Sequence, residues 1–206
     1  TYDLSGGTSP GMRLASYDSN YSADFALLMK NPGAAGNSLL ERFRVTNSGL
    51  VGIGTTSPYA TLSVQGTSTA PTIDPFVVAS SSGTTMFRID ARGNMLQGNG
   101  SLSSGIINSV AIGGGSVTAG AGNFDNLAIG AGSSITQGYR NLALSAGTIT
   151  GNSSYSMAIG NGASIPNDGT SYAVAIGAGD TSGAVTTAQV NSSGGFAIGN
   201  YITSNA

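Results

Sequence analysis

The chain has 206 residues, of which 33 are glycine, 39% apolar and only 8% charged, with a net charge of −2. Disorder calls for low hydrophobicity with high net charge, and collagen for a strict Gly-X-Y period; the chain has neither and is expected to be ordered and glycine-punctuated. With no cysteine and no histidine, disulfide staples, thiolate metal sites and a Ser-His-Asp triad are excluded.

Residues 1–40 read as a small antiparallel β unit. Arg13 to Tyr17 and Asp24 to Met29 are short strand-like runs bounded by the turn-prone segments Gly6 to Gly11, Asp18 to Asn20 and Asn31 to Gly33. A helix over Asp24 to Lys30 would span barely two turns. The longest apolar run, Phe25 to Met29, is far too short to cross a membrane as a helix, and no signal peptide is visible in a chain that starts at Thr1.

Residues 41–105 carry a looser repeat. Phe43-Arg44-Val45-Thr46-Asn47-Ser48-Gly49-Leu50-Val51 recurs 44 residues later as Phe87-Arg88-Ile89-Asp90-Ala91-Arg92-Gly93-Asn94-Met95. Each copy reads as a strand, a polar turn closed by glycine and a second strand. Arg44 and Arg88, at equivalent places, are expected in outward or inter-chain ion pairs near Glu41 and Asp90. Between the copies lie Val51-Gly52-Ile53-Gly54-Thr55-Thr56-Ser57-Pro58 and the alternating run Ala60 to Val64. Over residues 41–98 this combination resembles the short β modules of phage tail fibres and repetitive bacterial surface proteins. That resemblance implies intertwined trimers.

Residues 106–206 are dominated by one tetrapeptide. It reads Val110-Ala111-Ile112-Gly113, Leu127-Ala128-Ile129-Gly130, Leu142-Ala143-Leu144-Ser145, Met157-Ala158-Ile159-Gly160, Val174-Ala175-Ile176-Gly177 and Phe196-Ala197-Ile198-Gly199, at spacings of 17, 15, 15, 17 and 22 residues. A second apolar position follows at Val117, Ile135, Ile149 and Ile165. Each repeat is expected to form two short strands joined by tight glycine turns, and a lone coil would have no core. Stacked about 4.8 Å apart, six coils make a rod of about 25 to 30 Å. Alternation along a strand places Val110 and Ile112 on one face and Ala111 on the other. With Val110 and Ile112 filling the roll, the row Ala111, Ala128, Ala143, Ala158, Ala175 and Ala197 is expected to face outward. There it would let neighbouring chains approach closely, or else stand on a solvated face that tolerates alanine.

Asn108 to Ser116 resembles the head repeat of the YadA-like trimeric autotransporter adhesins, and the resemblance extends over residues 106–202. It implies an all-β fold with a left-handed parallel β-roll, a homotrimer with the alanine row at its interface, and an extracellular place on the bacterial surface. Asn108-Ser109-Val110-Ala111-Ile112-Gly113-Gly114-Gly115-Ser116 also matches a motif associated in that family with collagen binding, which marks Asn108, Ser109 and Ser116; the same residues are those any coil needs. Two features depart from the pattern: Leu144-Ser145 replaces Ile-Gly, and the last interval suggests a loop inserted around Thr181 to Gly195.

Chemistry finds little purchase. Gly52-x-Gly54 lacks the rest of a dinucleotide fingerprint, and with Lys30 the only lysine there is no P-loop. Asp74 and Asp90, or Asp168 and Asp180, are the remaining carboxylate pairs, and all four suit turns; a hydrolase would need carboxylates converging between subunits. The calcium nonapeptide repeat lacks its aspartate. No basic track exists for nucleic acid. No cofactor, metal or enzymatic activity is expected, and this segment is not expected to insert into a membrane. The expected function is a structural and adhesive segment of a trimeric extracellular fibre. Its contacts to a host matrix protein or surface glycan would lie on the loops Gln137 to Arg140, including Tyr139, and Asn167 to Ser171. The alternative is a viral tail-fibre segment that binds a host glycan.

Overall fold

The computed structural model describes residues 12–18, 23–30, 38–66, 73–118, 124–166, 169–177, 188–199 and 202–204, and among them it is entirely β, without helix. The chain divides into two compact units, 1–75 and 76–206, so the division falls inside the stretch 41–105.

The first unit is one five-stranded sheet in the order β1-β2-β3-β4-β5, with β1 at Met12–Asp18, β2 at Ala23–Lys30, β3 at Leu39–Val45, β4 at Val51–Ile53 and β5 at Leu62–Val64. The antiparallel pairing of β2 with β3 carries the sheet across residue 40. On its surface Phe25 meets Phe43 edge to face, ring centroids 6.2 Å apart. β4 and β5 run parallel, and Ser63 closes the short crossover, its buried Oγ accepting from the amides of Tyr59 and Ala60 at 3.0 and 3.1 Å. Gly52 has no alternative there, since a Cβ would stand 2.8 Å from the carbonyl oxygen of Thr55.

Arg44 holds this sheet together electrostatically. Its guanidinium grips Glu41 with two hydrogen bonds of 2.6 Å and reaches Asp24 on the neighbouring strand. The ion pair is therefore internal to the chain. Asp90, expected to play the matching part for Arg88, instead accepts from the amides of Arg92 and Asn94 and from the Asn94 side chain, closing its own turn.

The second unit begins with β6 at Phe76–Ala79, β7 at Thr85–Ile89 and β8 at Met95–Gln97, which pair antiparallel in that order. Turns 46–50, 80–84 and 90–94 share one construction, in which the first amide donates to the last carbonyl and a glycine of positive φ, Gly49, Gly83 or Gly93, donates back to the first carbonyl. β8 then starts a β-solenoid. With β9 at Ser101–Leu102, it is followed by the pairs β10 at Val110–Ile112 and β11 at Ser116–Val117, β12 at Leu127–Ile129 and β13 at Ser134–Ile135, and β14 at Leu142–Leu144 and β15 at Thr148–Ile149. The series closes with β16 at Met157–Ile159 and β17 at Ser164–Ile165, β18 at Val174–Ile176 and β19 at Ala188–Val190, and β20 at Phe196–Ile198 and β21 at Ile202–Ser204. The even-numbered strands from β8 to β20 stack in parallel on one side and the odd-numbered strands from β9 to β21 on the other.

The sidedness of the coil is the reverse of the expected one. Ala111, Ala128, Ala143, Ala158 and Ala175 are fully buried, Ala197 is 1% exposed, and all face into the roll. Val110 and Ile112 and their equivalents point outward, half-buried along the rod and exposed at Phe196 and Ile198. The reason is volume. The opposite sheet fills the interior with Val117, Ile135, Ile149, Ile165 and Val190, each fully buried, so only a methyl group fits across from each. The alanine row is thus the small half of a large–small core and has no surface to offer a neighbouring chain.

Polar side chains stack inside as well. The buried Asn94, Ser109, Asn126, Asn141 and Ser156 each accept, through a side-chain oxygen, the amide of the corresponding residue one coil on: Ser109, Asn126, Asn141, Ser156 and Ala173, at 2.8 to 3.2 Å. The asparagine amides of Asn94, Asn126 and Asn141 donate in turn to the carbonyls of Ile106, Gly138 and Ser153 at 2.7 to 2.9 Å. Neither departure from the repeat breaks the stack. Ser145 and Ala146 make the turn after β14 with φ of 50° and 66°, and β20 stays in register with β18 despite the longer interval.

Two predictions follow from these networks. Asn141→Ala leaves the buried Ser156 amide without its acceptor and takes a donor from the Ser153 carbonyl, and the expected loss of about 1 to 3 kcal/mol for the orphaned amide is read by chemical denaturation. The amide of Asn47 and the Arg44 guanidinium hold the Asp24 carboxyl below the ordinary aspartate value of about 3.9. Its stabilising contribution is therefore complete above that value and is lost as pH falls through the lower folded value. Asp24→Asn is expected to flatten the fall of melting temperature on acidification below about pH 4; an unchanged slope removes Asp24 from the account.

Candidate functional site

One corner of the solenoid, just ahead of the even-numbered strands, carries the most distinctive side chains. Its residues fall into two rows along the rod. Ile107, Phe124, Tyr139, Ser154, Ser171 and Ser193 form the first, and Asn108, Asp125, Arg140, Tyr155, Tyr172 and Gly194 the second. From coil to coil, the amide of each second-row residue donates to the first-row carbonyl before it, from Asp125 to Ile107 through Gly194 to Ser171, at 2.9 to 3.2 Å.

This register builds a continuous ridge of rings. Phe124 stacks on Tyr139 at 5.0 Å and 11°, both in the first row. Tyr155 stacks on Tyr172 at 5.0 Å and 5°, both in the second. The ladder changes rows between Tyr139 and Tyr155, and the two rings accordingly meet edge to face at 5.3 Å and 78°. Arg140 lies where the rows cross. Its guanidinium carbon is 5.4 to 6.0 Å from the centres of three rings, Nη1 donates to the Tyr155 hydroxyl at 2.6 Å, and Nε lies 3.6 Å from Asp125. Both charges of this pair are about half exposed, so the ion pair is worth little and the guanidinium serves chiefly as a flat cation against π faces.

The backbone of the second row is held in the left-handed region. Asn108, Asp125, Arg140, Tyr155 and Tyr172 have φ between 51° and 57°. Asparagine and aspartate tolerate this, but arginine and tyrosine pay about 1 to 2 kcal/mol each. Gly194, at φ 73°, holds the same place without strain.

The residues singled out in the sequence are only partly brought together. Tyr139 and Arg140 stand on the ridge, with Asn108 farther along the second row and Gln137 exposed just ahead of it. Ser109 is buried and bonded in the internal ladder, which takes it out of reach of any ligand, and Ser116 lies on β11 in the opposite sheet. Asn167 and Asp168 lie outside the described residues. Phe124, Asp125, Tyr155 and Tyr172 were missed, although a signal existed. The aromatic residue stands three places before Leu127 and Leu142 and two places before Met157 and Val174. Among the described residues no three acidic groups gather as a metal site would require. The ridge offers ring edges, phenol hydroxyls and one guanidinium, which suits binding. No protein-family model, curated protein or solved structure matches the chain.

Strain and stacking separate by substitution at the middle of the ridge. Tyr155→Ala loses two ring contacts and the bond to Arg140 while keeping the strained backbone, and is expected to cost about 1 to 3 kcal/mol. Tyr155→Gly loses the same contacts but relaxes the backbone, and is expected to be the milder change by about 1 kcal/mol. Equal melting temperatures of the two variants would deny that strain.

Proposed function

We propose that the chain is a structural and adhesive segment of an extracellular fibre, in which three copies run side by side and mediate attachment to a surface. The observation that carries this reading is the outer face of the even-numbered sheet. Val110, Leu127, Leu142, Met157 and Val174 form one unbroken row there, and Ile112, Ile129, Leu144, Ile159 and Ile176 a second, each in direct register from coil to coil. A monomeric protein rarely leaves so long an apolar stripe to water. Its straightness suits identical copies around a common axis, since equal coil heights bring like rows opposite one another. The interface expected of the alanine row thus passes to its larger neighbours, and the aromatic ridge is left for contacts with a surface. A bacterial surface appendage is the setting we assign, with the chain acting by binding and without enzymatic turnover.

Light scattering tests the assembly. A particle of about 60 kDa, three times 20.2 kDa, is expected, and Ile129→Lys with Ile159→Lys is expected to reduce it to a single folded chain. Wild-type protein that stays at the mass of one chain across concentrations would overturn the trimer.

A further inference from the structure

The second row of the ridge is occupied by Asp125, Arg140, Tyr155 and Tyr172 in successive coils, and then by Gly194. One face of the Tyr172 ring is covered by Tyr155 at 5.0 Å. In the next coil Gly194 carries no side chain, and among the described residues no atom beyond its chain neighbours lies within 4 Å of the place where a Cβ would stand. Tyr172 is accordingly 66% exposed, against 39% for Tyr155. The ladder therefore ends one rung short, with an aromatic face looking into an empty place.

We propose that this vacant rung binds a pyranose ring of a surface glycan, stacked on Tyr172; the inference rests on the attachment reading above and names its ligand class. Coils repeat at about 4.8 Å, an interval that admits one ring in van der Waals contact with Tyr172 at about 3.5 to 4.0 Å. A pyranose chair with equatorial hydroxyls presents a flat face of C–H groups. Their partial positive charge meets the negative face of the tyrosine ring. The rim suits a hydroxylated ligand better than an apolar one. Ser193 Oγ accepts from the Ser171 amide at 3.2 Å and donates to the Gly169 carbonyl at 3.2 Å, which leaves one lone pair to receive a sugar hydroxyl. Arg140, the cation of the ridge, stands three rungs from the vacant place and is engaged with Asp125 and Tyr155, so the ridge offers no cation there to an anionic group. The inner rungs do not themselves bind, since Tyr139 and Tyr155 each have a ring neighbour on both sides; they set the plane in which Tyr172 is held.

The test is titration of the full chain with β-1,4-linked glucose and N-acetylglucosamine tetramers, followed by the NMR signals of the tyrosine rings. Saturable binding with a millimolar Kd, about the strength of one stacked ring with few hydrogen bonds, is expected for at least one of the two. Tyr172→Ala is expected to weaken it by about tenfold or more, and Tyr172→Phe to retain it, while circular dichroism shows the fold intact in both. Absence of saturable binding by either sugar, or equal binding by Tyr172→Ala, overturns the site. The fibre reading fails separately: a single-chain mass with sugar binding retained removes the trimer alone, and a trimer that binds neither sugar removes this site alone.

Discussion

A coil of about fifteen residues encloses almost nothing, and that thinness governs the second unit. Two short strands face each other with room for one large side chain between them, so the interior cannot be supplied by leucines from both sides. Ile135 and Ile149 from one sheet meet Ala128 and Ala143 from the other, and each is fully buried. The remaining interior lies at the corners, where the backbone turns and its amides lose their strand partners. A buried amide without a partner costs about 1 to 3 kcal/mol, which several coils could not bear. Asn94, Asn126 and Asn141, with Ser109 and Ser156 between and beyond them, meet these amides one coil at a time. The same side chains fix the vertical register, because each bonds a residue in the coil that follows.

The repeat was legible for the same reason that it was misread. Its spacing announced a stacked structure, and in the four coils for which a second apolar position was read, at Val117, Ile135, Ile149 and Ile165, both strands lie where expected, whereas β8 and β9, which open the solenoid, fall in the stretch read as hairpin modules. Sidedness was another matter. Alternation says that Ala128 and Ile129 face opposite ways, but not which of them faces in. Hydrophobicity favours isoleucine inside, and would be right for a wider sheet sandwich. In this roll Ile135 already occupies the space, and the strand opposite yields it. A reading that counted side-chain volume across the coil, as well as polarity along it, would have chosen alanine. The ridge was less legible still, because its aromatic residues change rows between Tyr139 and Tyr155 and so break a fixed spacing from the tetrapeptide.

The rows outside the roll follow from the inversion. Once alanine is committed to the interior, the larger residues of the same strand have only the outer face. Leu127, Leu142 and Ile129 shield one another along the rod but remain half-exposed sideways. Serine or threonine would serve an isolated rod better at these positions, and the opposite sheet uses them at Ser116, Ser134, Thr148 and Ser164. One solenoid thus presents a polar face and an apolar face built on the same ladder. That contrast within one molecule points to a neighbour on the apolar side more strongly than the apolar count of the chain does.

The backbone of the ridge argues in the same direction. The corner demands a left-handed residue in every coil, and glycine or asparagine meets that demand at little cost, as Gly194 and Asn108 do. Arginine at 140 and tyrosine at 155 and 172 meet it against their preference. Stacking between Tyr155 and Tyr172 recovers part of what the strained backbone costs, but glycine would avoid the cost altogether. Strain kept where a cheaper residue stands elsewhere in the same row marks the side chains themselves as what the corner is for. Since the inner rings cover one another, their value is realised at the exposed end of the row, where Tyr172 faces the place that Gly194 leaves empty.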